Sequence, residues 1–202
     1  TGALRSDSGR IVFCGSDITA AGQRRIARAG IARTFQHVKL RRSMTALDNV
    51  MLGAYPRTRA GFVAGAFRLD RAEEARARSE ALAQLRRVGL GDSANELAGN
   101  LPLGSQRLLE IARALAADPA LIVLDEPAAG LRPLEKRALA DLLRALRTEG
   151  LTVLLVEHDM DFVMNLVDRV VVMVFGSKLT EGLPAAVRGD TRVQEAYLGG
   201  VA

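Results

Sequence analysis

LIVLDEP, residues 121–127, sets four consecutive apolar residues directly before two carboxylates. A continuous apolar run of that length suits a strand buried on both faces of a parallel sheet. Asp125 and Glu126 then stand at the strand's carboxyl end, the edge of a parallel α/β sheet where ligands collect. Asp125 is suited to hold a hydrated magnesium ion against phosphate oxygens, and Glu126 to orient or deprotonate an attacking water. A strand that merely ends in acids at a solvated loop would look the same, so the weight falls on what accompanies it.

Working outward, residues 152–156 (TVLLV) form a second apolar strand, and His158 follows it by two positions. Parallel strands bring their carboxyl ends to one edge, so this histidine is expected beside the carboxylates, where it can donate to a terminal phosphate. Standing alone it would be an ordinary loop histidine. Residues 31–35 (IARTF) predict a third strand, and Gln36 behind it offers a neutral amide able to ligate magnesium or orient water. His37 has no comparable strand-end position and is taken as ordinary. Gly104 precedes a helix predicted over 106–117, which would aim backbone N–H groups at an anion; a glycine at a loop-to-helix junction is also common for its backbone freedom.

The remaining segments alternate in the same way. A strand is predicted over 10–15 after the turn at Asp7-Ser8-Gly9, and a short basic helix near 22–29. From Met44 a helix follows with Leu47, Val50 and Met51 on one face, and residues 53–65 read as a loop. An alanine-, arginine- and glutamate-rich surface helix spans 69–88, with Glu74 four residues before Arg78. Pro133 opens a helix that runs to Thr148 and is stopped by Gly150. A helix over 160–166 and a strand over 170–175 come next, with a turn at Gly176-Ser177 into 178–180. Strand and helix in alternation predict an α/β fold with a parallel sheet covered by helices.

A chain of 202 residues suits one domain, or a core with an inserted lobe. Its composition is 49% hydrophobic and 25% charged, as in ordinary globular proteins, and its apolar runs are far shorter than a membrane span requires. The net charge of +5 invites a nucleic-acid reading, but all except three of the 28 basic residues are arginines scattered along the chain rather than gathered with aromatics. No nucleic-acid partner is expected. Cys14 is the single cysteine, which excludes an internal disulfide and fits a reducing compartment. No signal peptide is read, and Thr1 in place of methionine predicts a piece upstream.

Taken together these elements resemble the nucleotide-binding subunit of ABC transporters over essentially all 202 residues. Gln36 is similar to that family's Q-loop glutamine, LPLGSQRLLEIARAL (101–115) to its signature and following helix, LIVLDEP to Walker B, and His158 to the switch histidine. GIARTFQ (30–36), LDEPAAGL (124–131), EHDMDFVM (157–164) and VQEAYLG (193–199) resemble the branch serving branched-chain amino-acid importers.

The resemblance implies a P-loop NTPase-like, mostly parallel sheet covered by helices, with an inserted helical subdomain over 37–117 between an N-terminal remainder (1–36) and a core with C-terminal helices (118–202). It implies ATP and Mg2+ as ligands, with Asp125 and Gln36 toward the metal and Glu126, His158 and Gln36 in hydrolysis. Pro102, Gly104, Ser105 and Gln106 would contact the nucleotide of a second ATPase subunit packed head to tail. Membrane permease subunits and, indirectly, a solute-binding protein would be further partners, at the cytoplasmic face of the cell membrane.

The chain departs from the pattern at Pro102, where serine is usual, at Ser105, where glutamine is usual, and at Arg132, where an acid or asparagine is typical. No GxxxxGK[ST] phosphate loop occurs between Thr1 and Ala202, and residues 1–10 resemble the segment just after that loop, so the family's first strands and loop are expected upstream of residue 1. Without them the chain is expected to fold marginally alone and to lack independent ATPase activity. A non-hydrolytic subunit that lends its signature to an intact partner is the alternative. An ABC ATPase acting on DNA or ribosomes is a weaker one, since neither two cassettes nor long linkers are visible.

Overall fold

The computed structural model describes residues 1–36, 38–54 and 71–198. The chain divides into two units, residues 1–156 and 157–202. His37 and most of the loop expected over 53–65 lie outside the described residues, as does Leu69.

The first unit opens with a small hairpin, β1 (Val12–Phe13) and β2 (Ser16–Asp17). Cys14 and Gly15 turn it at φ of 46° and 75°, so the strand expected over 10–15 is folded back on itself by a turn that needs positive φ at both central residues. Helix α1 (Gln23–Arg28) buries Ile26 and leads to β3 (Ile31–Arg33). Helix α2 (Ala46–Ala54) packs against α3 (Arg71–Arg87) and α4 (Leu103–Leu115) in a three-helix cluster.

Leu47 and Val50 on α2 and Leu85 on α3 are buried, as the helical period predicts, whereas Met51 and Leu82 are only partly so. Ala81 on α3 and the consecutive residues 109–112 on α4 are buried as well. The exposed face of α3 carries an i,i+4 ion pair, Arg76 to Glu80 at 2.9 Å. Asn49 is also buried, and its amide grips the loop that precedes α2: it accepts from the Arg41 N–H at 2.8 Å and donates to the Arg41 carbonyl at 3.0 Å.

Strand β4 (Leu121–Asp125) pairs in parallel with β3 on one side and β5 (Thr152–Val156) on the other, so the unit holds a three-stranded parallel sheet in the order β3-β4-β5. Helix α5 (Pro133–Thr148) joins β4 to β5 as the crossover, burying Leu139, Leu143 and Leu146. Ile122 and Leu124 are wholly buried, whereas Leu154 and Val156 on β5 are 52% and 51% exposed. Continuous apolar sequence predicts cover on both faces; β5 is the outer strand of this sheet among the described residues, and one of its faces is open.

The second unit contains α6 (Met160–Met164), the antiparallel pair β6 (Val170–Val174) and β7 (Ser177–Gly182), α7 (Pro184–Arg188) and α8 (Thr191–Leu198). The hairpin turns on Phe175 and Gly176, both at positive φ, one residue earlier than Gly176-Ser177. Met164, Val170, Val187 and Val193 form its own small core. No helix among the described residues is long and apolar enough to cross a membrane.

Candidate functional site

Parallel pairing brings the carboxyl ends of β3 and β4 side by side, with Ile31 opposite Leu121 and Arg33 opposite Val123. Beyond that edge the chain leaves β3 through Thr34, whose N–H still bonds the Val123 carbonyl at 3.0 Å, and then Phe35 and Gln36. From β4 it leaves through Asp125 and Glu126. The result is a direct contact: the Gln36 Nε2 donates to Glu126 Oε2 at 3.0 Å, across 90 residues of sequence. Of the residues expected along this edge, Gln36 and Glu126 are in direct contact, with Asp125 next to Glu126 in sequence.

Glu126 sits at φ +46°, a left-handed conformation that a non-glycine residue adopts at a cost of about 1–2 kcal/mol. Its N–H is tied to the Val156 carbonyl at 2.9 Å, which holds the strained turn in place. Asp125, partly buried, accepts from Arg33 Nη2 at 2.8 Å. Arg33 was not singled out by its sequence context, since a basic residue in a short strand carries no signal until the register is known. Its guanidinium also lies over the Phe35 ring, 5.2 Å from the centroid, and the Lys39 ammonium lies 4.6 Å from that centroid.

Three more side chains, those of Arg107, Glu110 and Arg113, reach the Gln36 loop from α4. Lys39 donates its backbone N–H to Glu110 Oε1 at 2.7 Å, and its carbonyl accepts from Arg113 Nη1 at 2.7 Å. Arg107 Nη1 donates to the Phe35 carbonyl at 3.3 Å. Glu110 is 2% exposed; burial pushes its carboxyl up from the usual range, while the Lys39 N–H and the charges of Arg113, Arg107 and Lys39 pull it back. A charged residue between buried Leu109 and Ile111 was the available signal.

The signature-like residues form a separate group at the start of α4. The helix begins at Leu103 with Pro102 as its N-cap residue, so Gly104 and Ser105 lie in the first turn rather than before the helix. The first turn of a helix presents N–H groups without intrahelical partners, which suits an anion. Gly104 is buried against α5: a Cβ there would come within 2.5 Å of the Glu135 carboxylate. Gln106 turns back to donate to the Leu101 carbonyl at 2.7 Å, and Pro102 is exposed. His158 belongs to the second unit, where it is exposed; its N–H donates to the Glu157 carboxylate at 3.3 Å, and the next residue, Asp159, caps α6 by accepting from the Phe162 N–H at 3.0 Å.

An oxygen donor set of one carboxylate and one amide suits Mg2+, a hard ion that keeps much of its water and takes the rest of its ligands from phosphate. Among the described residues no group of three or more His, Cys, Asp and Glu forms a metal cage. Asp125, now paired with Arg33, and the Gln36 amide, now on Glu126, are donors of the kind such an ion takes together with phosphate oxygens.

Residues 1–129 match the family model described as ABC transporter, and residues 177–202 that of the branched-chain amino acid ATP-binding cassette transporter. The chain belongs to the ABC transporter ATP-binding family. It is 40% identical over 204 residues to the high-affinity branched-chain amino acid transport ATP-binding protein LivG of Escherichia coli, covering 98% of this chain and 79% of the relative. BraF of Pseudomonas aeruginosa, with the same description, is 41% identical over 202 residues, with the same coverage.

Among solved structures, the ADP conformation of MJ1267, an ATP-binding cassette of an ABC transporter, superposes with a TM-score of 0.84 at 32% identity, covering 98% of this chain and 80% of that one. A dimeric, post-hydrolysis cassette, MJ0796 bound to ADP and Pi, superposes with a TM-score of 0.75 at 25% identity, covering 90% and 75%. The ABC ATPase fold and the likeness to branched-chain amino-acid subunits, expected from the motifs, are both present.

Proposed function

We propose that this chain is the ATP-binding and ATP-hydrolysing subunit that energises an ABC importer for branched-chain amino acids or related small solutes. The observation that carries this is the contact between Gln36 and Glu126 beside Asp125, at the carboxyl edge of a parallel sheet, in a chain 40% identical to LivG. Bound Mg2+ supplies neutralisation of charge on the β- and γ-phosphates, and Asp125 with Gln36 would hold it. Glu126 orients and deprotonates the attacking water, and its hydrogen bond to Gln36 fixes the carboxylate's direction before substrate arrives.

His158 donates to the γ-phosphate. Gly104 and Ser105, with Pro102 and Gln106 around them, present the first turn of α4 to the nucleotide of a second ATPase subunit, and each site is completed by the other subunit. Residues 37–117, which contain the three-helix cluster, face the permease subunits. A solute-binding protein acts through those permeases, and the assembly sits at the cytoplasmic face of the membrane.

The cradle for the β- and γ-phosphates is not among residues 1–202. The test therefore uses the assembled transporter. Glu126→Gln keeps the shape of the side chain and its contact with Gln36 but removes the base. It is expected to trap ATP and lower turnover by about 10²–10⁴-fold; near-normal hydrolysis would remove Glu126 from this role. A second reading is a non-hydrolytic subunit that lends its signature segment, residues 101–106, to an intact partner. Two trapped ATP per dimer supports the first reading, and one supports the second.

A further inference from the structure

We propose that Glu110, together with Arg113 and Arg107, is a positioning element for Gln36: the face of helix α4 that carries these three side chains grips the backbone at Phe35 and at Lys39 and so sets the Gln36 amide against Glu126. The proposal rests on the assignment of Gln36 and Glu126 to ATP hydrolysis.

Glu110 is an expensive residue for the place it occupies. It is 2% exposed, flanked on α4 by Leu109 and Ile111, which are buried to the same degree. An apolar side chain would pack there without the desolvation penalty of a carboxylate. What the carboxylate does instead is bind backbone: its Oε1 takes the Lys39 N–H at 2.7 Å, and Arg113, one turn further along α4, takes the Lys39 carbonyl at 2.7 Å. Both polar groups of a single residue are thus held by two side chains of one helix. Arg113 Nη2 also lies 3.4 Å from Glu110 Oε1, which orients the carboxylate.

Arg107, one turn earlier, holds the Phe35 carbonyl at 3.3 Å. The two grips bracket Gln36, one residue before it and three residues after. Past Thr34 the chain has left the β3–β4 ladder, so these side-chain bonds take over from the sheet in fixing its course. Gln36 itself is exposed, and its contact with Glu126 is only as well placed as the backbone that carries it.

The same helix starts at Leu103, in the signature-like segment. From Ser105 to Glu110 is about 7 Å along the axis, too short a distance for a helix to bend appreciably. A displacement of the first turn of α4 is therefore delivered to Lys39 and Phe35, and through them to Gln36.

The experiment uses the full chain in the assembled transporter. Glu110→Ala removes the acceptor for the Lys39 N–H and is expected to lower kcat about ten- to a hundredfold, with KM for ATP within about twofold. Glu110→Gln keeps an acceptor oxygen at that position and is expected to recover most of the rate. In a Gln36→Ala background, Glu110→Ala is expected to cost almost nothing more, because a positioning residue has nothing left to position.

An undiminished kcat in Glu110→Ala, or an equal loss in both backgrounds, overturns the proposal. Amide hydrogen exchange at Lys39 gives a second readout independent of activity: protection in the wild type, retained in Glu110→Gln and lost in Glu110→Ala, is expected. Were the wild-type transporter to show no hydrolysis, the assignment of function would fall, while rapid exchange of the wild-type Lys39 amide would remove the grip itself.

Discussion

Glu110 is also a residue whose ionisation the fold opposes. Its carboxyl is raised above the unfolded value of 4.5, first by burial, so folding retains its proton over a range where the unfolded chain has released it. Its contribution to stability is fully present below the unfolded value and is lost as pH rises through the folded one. Denaturation of the full chain from about pH 4 to about pH 8 should therefore show the wild type losing stability relative to Glu110→Gln as pH rises, with the difference levelling above the raised value; a difference that moves the opposite way contradicts this. The acids at the site were legible because LIVLDEP announces a strand end, and Gln36 because it follows another. Arg33 was not: it meets Asp125 across 92 residues, and only the β3–β4 register reveals the pair. Arg107, Glu110 and Arg113 were hidden for a different reason: their partners are backbone groups of the loop, and the charge between Leu109 and Ile111 was the one signal.

Among the elements, β4, β5 and α5 were readable because each carries its own punctuation: apolar runs of strand length, Pro133 at the first helical position, and Gly150 at φ +92° behind the last turn. Glycine misled in two other places. The sequence around Gly104 reads as the residue before a helix, yet it lies within α4, with the Glu135 carboxylate of α5 packed against it. Gly53 looked like the start of a loop but lies inside α2 at its crossing with α4, where a Cβ would collide with the Arg113 carbonyl. Backbone atoms cannot swing aside as a side-chain tip can. Gly53→Ala is accordingly expected to destabilise the full chain by about 1–3 kcal/mol despite alanine's better helix propensity. Chemical denaturation checks this, and a stabilised variant contradicts the close crossing.

For the whole molecule, the conspicuous property is apolar surface left open on strands. Leu154 and Val156 are about half exposed in the first unit, as are Val171 and Met173 in the second, where Phe175 is fully exposed. Surface of this kind on strands that are outermost among the described residues favours association with other chains. Residues 1–202 purified alone are expected to self-associate and to bind a hydrophobic dye; a monodisperse species with cooperative, reversible thermal unfolding contradicts that. In the transporter we propose that Asp125, Glu126 and Gln36 couple ATP hydrolysis to solute movement. The decisive measurement is ATP-driven uptake of a branched-chain amino acid into vesicles that carry the assembled transporter, with the wild-type chain or with Asp125→Asn. Uptake that requires ATP and falls by at least about a hundredfold in Asp125→Asn is predicted; absence of ATP-driven uptake with the wild type, or uptake unchanged by the substitution, would contradict it.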